Sequence, residues 1–299
     1  MRRKTINILI AIIIFIILDN IIASIMKHGI DNYFGLDQHS EVLLIGHSHL
    51  MLSVDKQKME QDLGLKISKY CREGVDVNEK YYMVKQYLES PYSDSLKVML
   101  YGVDLFTFTE GGLSKNAYKL FYPFMGNNEI SEMIKQNSDV SDYWSHKLIK
   151  TYRFNDFAIM NATIRGLRND WSNKKSGTID IEAYKKLLAN NQERHIDMNN
   201  KLIDRFKKTI KLATDRGIRV VLVNPPTLDL LNNYERDKFE KICRWYETFA
   251  STEPLVDYWD FNPEYSTDHS IFYDRLHVNT QGQSIISNEI TERIKALNI

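Results

Sequence analysis

Val42-Leu43-Leu44-Ile45-Gly46-His47-Ser48-His49 is the stretch from which the rest of the chain can be read. Its four apolar residues are too few for a helix and lack the alternation of a half-wet strand. That is the pattern of a strand covered on both faces. It stops at a glycine, and small or polar side chains follow at once. Further strand-like runs lie at Lys66–Tyr70, Leu96–Val103, Val220–Val223 and Leu255–Phe261. Between and after them come segments with helical spacing. Val54–Leu63 stops at Gly64, Asn78–Leu88 is halted before Ser90-Pro91, and a long run over Glu193–Arg216 ends at Gly217. Tyr234–Phe249 and Thr280–Leu297 complete the set. Strands alternating with helices of this length predict parallel βαβ units, hence a three-layer α/β/α fold around a parallel sheet.

The alternation is lost between Leu105 and about Gln192, where helical patches such as Tyr143–Tyr152 and Phe157–Leu167 are scattered among Phe, Tyr, Asn and Ser. A segment of that length is no simple loop, and it predicts a mostly helical insertion at about 105–192. Its aromatics Phe106, Phe108, Tyr118, Phe121, Tyr122 and Phe124 suit either a lid over a sugar or the insertion's own core. Irregular spacing favours the core.

Upstream, Met1-Arg2-Arg3-Lys4 precedes Ile6–Met26, which is apolar except for Asp19, Asn20 and Ser24. As a helix this rises about 30 Å, the thickness of the hydrocarbon layer. The basic cluster before the span predicts a cytoplasmic N-terminus, a single-pass anchor over 1–27 and an exported body. His28–Ser40 reads as a polar stalk, and 41–299 as the α/β domain with its insertion. A cleaved signal peptide requires small residues at the cut, and Ile22-Ala23-Ser24 matches poorly. A buried soluble helix rarely begins with three basic residues and near-continuous isoleucine.

Lys+Arg and Asp+Glu number 39 each, so the formal net charge is zero. This excludes the global positive field of a nucleic-acid binder. The densest basic stretch, Arg205-Phe206-Lys207-Lys208 with Lys211, reads as the wet face of an amphipathic helix. Cys71 and Cys243 have no metal-binding spacing and read as free thiols.

In a parallel sheet, function gathers beyond the carboxyl ends of the strands. Four places qualify: Gly46-His47-Ser48-His49, Gly74, Gly102-Val103-Asp104 and Asp274-Arg275-Leu276-His277. Serine is a weak nucleophile and needs a base, which needs an orienting partner. Asp274-x-x-His277 supplies both, just before the last helix. The rival reading is a metal site built on His47-x-His49, with His277 and Asp274 as further ligands. Plain turn-shaping by the two histidines is the simpler alternative. His39, His146 and His195 read as surface residues, and adjacent Asp268-His269 as a loop pair whose side chains diverge.

At these residues the chain resembles the SGNH/GDSL hydrolase superfamily. Gly46-His47-Ser48 looks like its first block, usually Gly-Asp-Ser, and Asp274-Arg275-Leu276-His277 like its last. Gly74 fits its second-block glycine. The resemblance spans about residues 41–104 and 215–297. The N-terminal span, the Ser48-His49 pair, and Phe272-Tyr273-Asp274 through Val278-Asn279 and Gly282 resemble membrane-anchored members that work in O-acylation of cell-surface polymers. The alginate acetylation and teichoic-acid D-alanylation proteins are examples. The resemblance implies a flavodoxin-like sheet, a Ser48–His277–Asp274 triad, and no cofactor or metal. It also implies an O-acyl transferase or esterase activity, a cell-surface glycan as acceptor and a polytopic membrane acyltransferase as partner. Gly74, Asp104, His47 and His49 are the candidate oxyanion and substrate-binding residues.

Two positions depart from the family pattern. His47 replaces the usual aspartate. Asp104 stands where the third block has an asparagine, and an ionised aspartate cannot donate to an oxyanion. If Asp104 occupies that position, hydrolysis should be slow, and Asp104→Asn should speed it. The same departure suits a non-catalytic accessory or glycan-binding protein that kept the fold.

Overall fold

The computed structural model describes residues 2–110 and 116–297. Met1, the insertion's 111–115 and the last two residues of the domain range lie outside the described residues. The chain divides into two compact units, one of residues up to Asp37 with Asn116–Asp170, the other of Gln38–Lys115 with Trp171–Ile299.

The second unit holds five parallel strands in the order β2-β1-β3-β4-β5. They are β1 (Val42–Gly46), β2 (Ile67–Cys71), β3 (Val98–Gly102), β4 (Arg219–Asn224) and β5 (Val256–Asp260). Between β1 and β2 run α2 (Ser48–Ser53) and α3 (Lys56–Leu63), and between β2 and β3 runs α4 (Val77–Leu88). After β3 the chain leaves for the insertion, whose α8 (Ile181–Ala189) belongs to this unit; α9 (Asn200–Thr214) then leads into β4. The unit closes with α10 (Asp229–Tyr234), α11 (Arg236–Thr252), α12 (Asn262–Tyr265) and α13 (Thr280–Ala296).

Every residue of β1, β2 and β3 is buried, which is why β1 and β3 read as apolar runs rather than alternating ones; in β2 the polar Ser68 and Lys69 are buried on partners, Ser40 and Val54 O. Successive side chains still go to opposite faces. Val42, Leu44, Val98, Leu100, Val221 and Val223 pack against Leu50 of α2, Met59 of α3 and Ile286, Ile290 and Ile294 of α13. On the other face Tyr101 meets Phe206 of α9, and Tyr258 meets Tyr246 of α11.

Some predicted helices start elsewhere, each because a tertiary partner interrupts the run. Val54–Leu63 is preceded by the separate α2; the chain turns extended at Val54, and Asp55 caps α3 through Lys58 N. The long helix begins at Asn200 rather than Glu193. Asn199 caps it, and Glu193 is buried, taking the Tyr184 hydroxyl at 3.0 Å. The Tyr234–Phe249 run breaks at Glu235, whose carboxylate accepts from Ile196 N at 2.6 Å.

In the first unit α1 runs from Arg2 to Phe34 without interruption, so the residues read as a stalk from His28 continue the helix for two more turns. The polar side chains behind that reading have partners within the unit: Asn32 Nδ2 donates to Gly166 O at 2.7 Å and Lys27 pairs with Asp31. Among the described residues α1 is the one helix long and apolar enough to cross a membrane. The unit also contains α5 (Asn128–Asn137), α6 (Val140–Leu148) and α7 (Phe157–Leu167). α7 lies along the second half of α1 at its closest where Gly166 meets Gly29; a methyl on Gly166 would fall 1.7 Å from Gly29 O.

The aromatic residues after β3 are core, as their spacing suggested, but of two separate cores. Phe108 packs with Phe206, Trp245 and Tyr246 in the sheet unit. Phe121, Tyr122 and Phe124 are buried in the other. His146, expected at the surface, is buried there too, stacked on Tyr122 with ring centroids 3.6 Å apart.

Candidate active site

The order 2-1-3-4-5 reverses direction between β1 and β3, and a doubly wound sheet opens a crevice at such a point. Ser48 follows β1 there. Gly46 and Gly102 lie side by side at the ends of β1 and β3, and Leu50 packs down on both. A Cβ on either glycine would come within 2.8 Å of Leu50 Cβ. The two glycines therefore let the first turn of α2 sit directly on the strand ends, with Ser48 as its first residue and only partly covered.

His47 is the N-cap. Its Nδ1 accepts from His49 N at 3.1 Å, so a neutral ring carries its proton on Nε2, which donates to Asp104 Oδ2 at 3.0 Å. The other oxygen, Asp104 Oδ1, accepts from Phe106 N at 2.8 Å and Thr107 Oγ1 at 3.1 Å. Lys80, buried on the inner face of α4, donates to Gly102 O at 2.9 Å. Burial opposes ionisation of Asp104, yet His47, His49 and the Lys80 ammonium together hold its carboxyl well below the usual range. Burial pushes Lys80 down to about 8, against the pull of Asp104. Burial also lowers His47, with Lys80 adding to the effect. His49 is driven down to about 3 for the same first reason; its Nε2 donates to Pro226 O at 3.2 Å, and the neutral ring stands edge-on to His277.

The base comes from the far end of the unit. Asp274 folds its own turn: Oδ1 accepts from Leu276 N at 2.8 Å and from His277 N at 2.9 Å. Tyr273 N bonds back to His277 O at 2.8 Å, while Leu228 N takes Arg275 O at 3.0 Å and so ties the turn to the loop after β4. Asn279 caps α13 through Gln281 N and Gly282 N. Gln283 of α13 donates to Leu52 O at 2.8 Å, linking that helix to α2. The outcome is a chain of bonds: Ser48 Oγ lies 2.9 Å from His277 Nε2, and His277 Nδ1 lies 2.8 Å from Asp274 Oδ2. Burial opposes ionisation of Asp274, but the hydrogen bond and electrostatic attraction of His277 and the two backbone donors hold the carboxyl below its usual range.

The parallel sheet is the α/β fold expected from the sequence, and Ser48, His277 and Asp274 lie in series beside the end of β1. Gly74 lies in the turn after β2, with φ of 76°, a backbone state that favours glycine. β2 is paired to β1 with Cys71 opposite Gly46, and Arg72 N bonds to Gly46 O at 3.0 Å, so the Gly74 and Ser48 turns leave neighbouring strand ends. Asp104 has both oxygens turned to His47, Phe106 and Thr107. That corrects its reading as an oxyanion-facing residue, because both oxygens are taken by donors of the turns after β1 and β3. Lys80 was missed in the sequence, although it sits at helical spacing among Val77, Val84 and Tyr87, on the face that α4 buries. His47 and His49 are drawn to Asp104 and Pro226 rather than converging with His277. His269, as expected, does not pair with Asp268; its Nε2 meets Asp229 Oδ1 at 2.7 Å.

No family model matches the chain, and no curated protein matches it. Among solved structures it is similar to a Bacteroides fragilis protein described as an acylhydrolase, at 10% identity over 88% of this chain and 91% of that one, with a TM-score of 0.44. It is also similar to the C-terminal catalytic domain of Streptococcus pneumoniae peptidoglycan O-acetyltransferase A, carrying a methylsulfonyl adduct, at 12% identity over 87% and 94%, TM-score 0.39. A lipase from a goat rumen metagenome aligns at 11% identity over 84% and 95%, TM-score 0.36.

Proposed function

We propose that this chain is a serine acyl-transfer enzyme, an O-acyl, in the first place O-acetyl, transferase or esterase acting on an extracytoplasmic glycan. The observation that carries the chemistry is the bond chain Ser48 Oγ–His277 Nε2–His277 Nδ1–Asp274 at 2.9 and 2.8 Å. Ser48 Oγ attacks the acyl carbonyl while His277 Nε2 takes its proton. Asp274 keeps the Nδ1 proton in place, which leaves Nε2 free to act as base. The N–H groups of Ser48 and Gly74 hold the oxyanion of the tetrahedral intermediate. On its collapse His277 returns the proton to the leaving alcohol, and an acyl-serine remains. A glycan hydroxyl or a water then attacks that ester, with His277 again the base. Tethering by α1 suits an acceptor at the cell surface and an acyl donor delivered by a polytopic membrane partner.

A fluorophosphonate probe tests this reading on the full chain in detergent. The wild type should be labelled at Ser48, mapped by mass spectrometry, and Ser48→Ala should not. His277→Ala should slow labelling by about a thousandfold or more, the scale of losing a triad member. Asp274→Asn should slow it less. Wild-type protein that resists the probe while a control esterase reacts would favour the second reading, an accessory or glycan-binding protein. The sequestered Asp104, which leaves the third oxyanion donor unsupplied, speaks for that reading.

A further inference from the structure

The unit built from α1 and Asn116–Asp170 shows two kinds of surface on one helix. From Ile6 to Leu18 the apolar side chains of α1 are exposed all round. From Asp19 onward one stripe is covered: Asp19, Ala23, Ile30 and Phe34 are buried, while Ile21, Ile22 and Ile25 on the other side stay exposed. The cover at the Asp19 level is the turn between α6 and α7. The Asp19 carboxylate accepts from Lys150 N at 2.8 Å, Thr151 N at 2.9 Å and Thr151 Oγ1 at 2.6 Å. An aspartate within an apolar span is costly unless its oxygens are satisfied, and here the turn supplies every donor named.

That contact lies about 20 Å along the helix from Ile6, at 1.5 Å per residue, well within the roughly 30 Å of a hydrocarbon layer. The turn and its flanking helices present apolar side chains outward at this level. Val140, Trp144 and Leu148 recur every fourth residue on one face of α6, whose opposite face buries Tyr143 and His146. Ile149 and Tyr152 extend the patch through the turn, and Phe157, 86% exposed, opens α7. A contiguous apolar patch of this kind marks a contact surface. Trp and Tyr are the residues that favour the membrane–water boundary.

We propose that Val140, Trp144, Leu148, Ile149, Tyr152 and Phe157 form a second membrane contact, seated in the interface of the leaflet from which the second half of α1 emerges. The occupant is lipid, because the patch is continuous with the exposed apolar side of α1 and is fastened to it at Asp19. The chain then holds the bilayer by a span and by an interfacial platform. The inference rests on α1 crossing the membrane and is independent of the chemistry proposed for Ser48.

Spin labels on the full-length chain, in vesicles of phosphatidylcholine and phosphatidylglycerol, test it. In a Cys243→Ser background, labels go on Val140→Cys, Leu148→Cys and Phe157→Cys, with Ile12→Cys and Ser251→Cys as lipid and water references. The three test labels should collide more with dissolved oxygen than with an aqueous nickel chelate, as Ile12→Cys does, and Ser251→Cys should show the reverse order. Test labels that follow Ser251→Cys while Ile12→Cys stays in lipid would overturn the platform and leave the span intact. An Ile12→Cys label in water would overturn both. Labels shielded from both reagents and broadened by one another would mean that a second copy covers the patch, and would overturn the lipid contact.

Discussion

Replacing one oxygen of Asp104 by an amide nitrogen sets donors against each other. His47 must accept from His49 N at Nδ1, so its Nε2 carries a proton and needs an acceptor at Asp104 Oδ2. An amide nitrogen there offers another donor, and flipping the amide moves the conflict to Phe106 N and Thr107 Oγ1. The buried Lys80 ammonium also loses its carboxylate neighbour. Asp104→Asn should therefore destabilise the fold by about 1–3 kcal/mol, the cost of leaving a buried donor unsatisfied, and should not speed acyl transfer. Chemical unfolding together with the fluorophosphonate labelling rate measures both. A stable Asp104→Asn protein that reacts faster would return Asp104 to the oxyanion site. Ser48, Asp274 and His277 were legible because their chemistry needs those residue types at strand ends. The fate of Asp104 was not, because it is set by His47 at another strand end, which only packing brings beside it.

Besides the loop after β4, the helix α13 holds the turn carrying His277. Gly282 in the first turn of α13 lies against the segment that leads into that turn, and a Cβ on it would stand 2.6 Å from Ile271 O and 2.7 Å from Val278 Cβ. Ile271 and Val278 flank the Asp274–His277 turn, closed by the Phe272–Val278 bridge and by Asn279 N donating to Ile271 O at 2.7 Å. Gly282→Ala should force these apart, with an overpacking cost of about 1–3 kcal/mol. Displacing His277 by a fraction of an ångström should slow labelling of Ser48 by about tenfold or more. Labelling at the wild-type rate in a folded Gly282→Ala protein would mean that α13 does not set the position of the base. The strands β1, β3 and β4 were readable because burial on both faces demands continuous apolar side chains. The helix starts at Lys56, Asn200 and Arg236 were less so, since apolar periodicity does not register where Asp55, Asn199 or Glu235 stops a run.

Across the whole molecule, the N-terminal helix has a second role beside its length and apolarity. A cut after Ser24 would remove Asp19 and Ala23 and leave the Lys150–Thr151 turn without the carboxylate that caps it. N-terminal sequencing of the membrane fraction should therefore find the uncleaved chain; a mature end near Ile25 would refute the anchor. A reporter that works only outside the cytoplasm, fused after Ile299, should be active, as the basic start before the span predicts. Fold class and the three residues of the proposed relay were determined by the sequence itself. Runs of apolar residues and a nucleophile-and-base pair at strand ends are local patterns, readable without knowing what lies opposite. Tertiary structure alone decided that α1 continues through Phe34 beside α7, that His47, Phe106 and Thr107 take up the oxygens of Asp104, and that α6 turns Trp144 outward. Each depends on which surfaces meet across long stretches of chain, and the free energy of those contacts is written in pairs of residues rather than in any one segment.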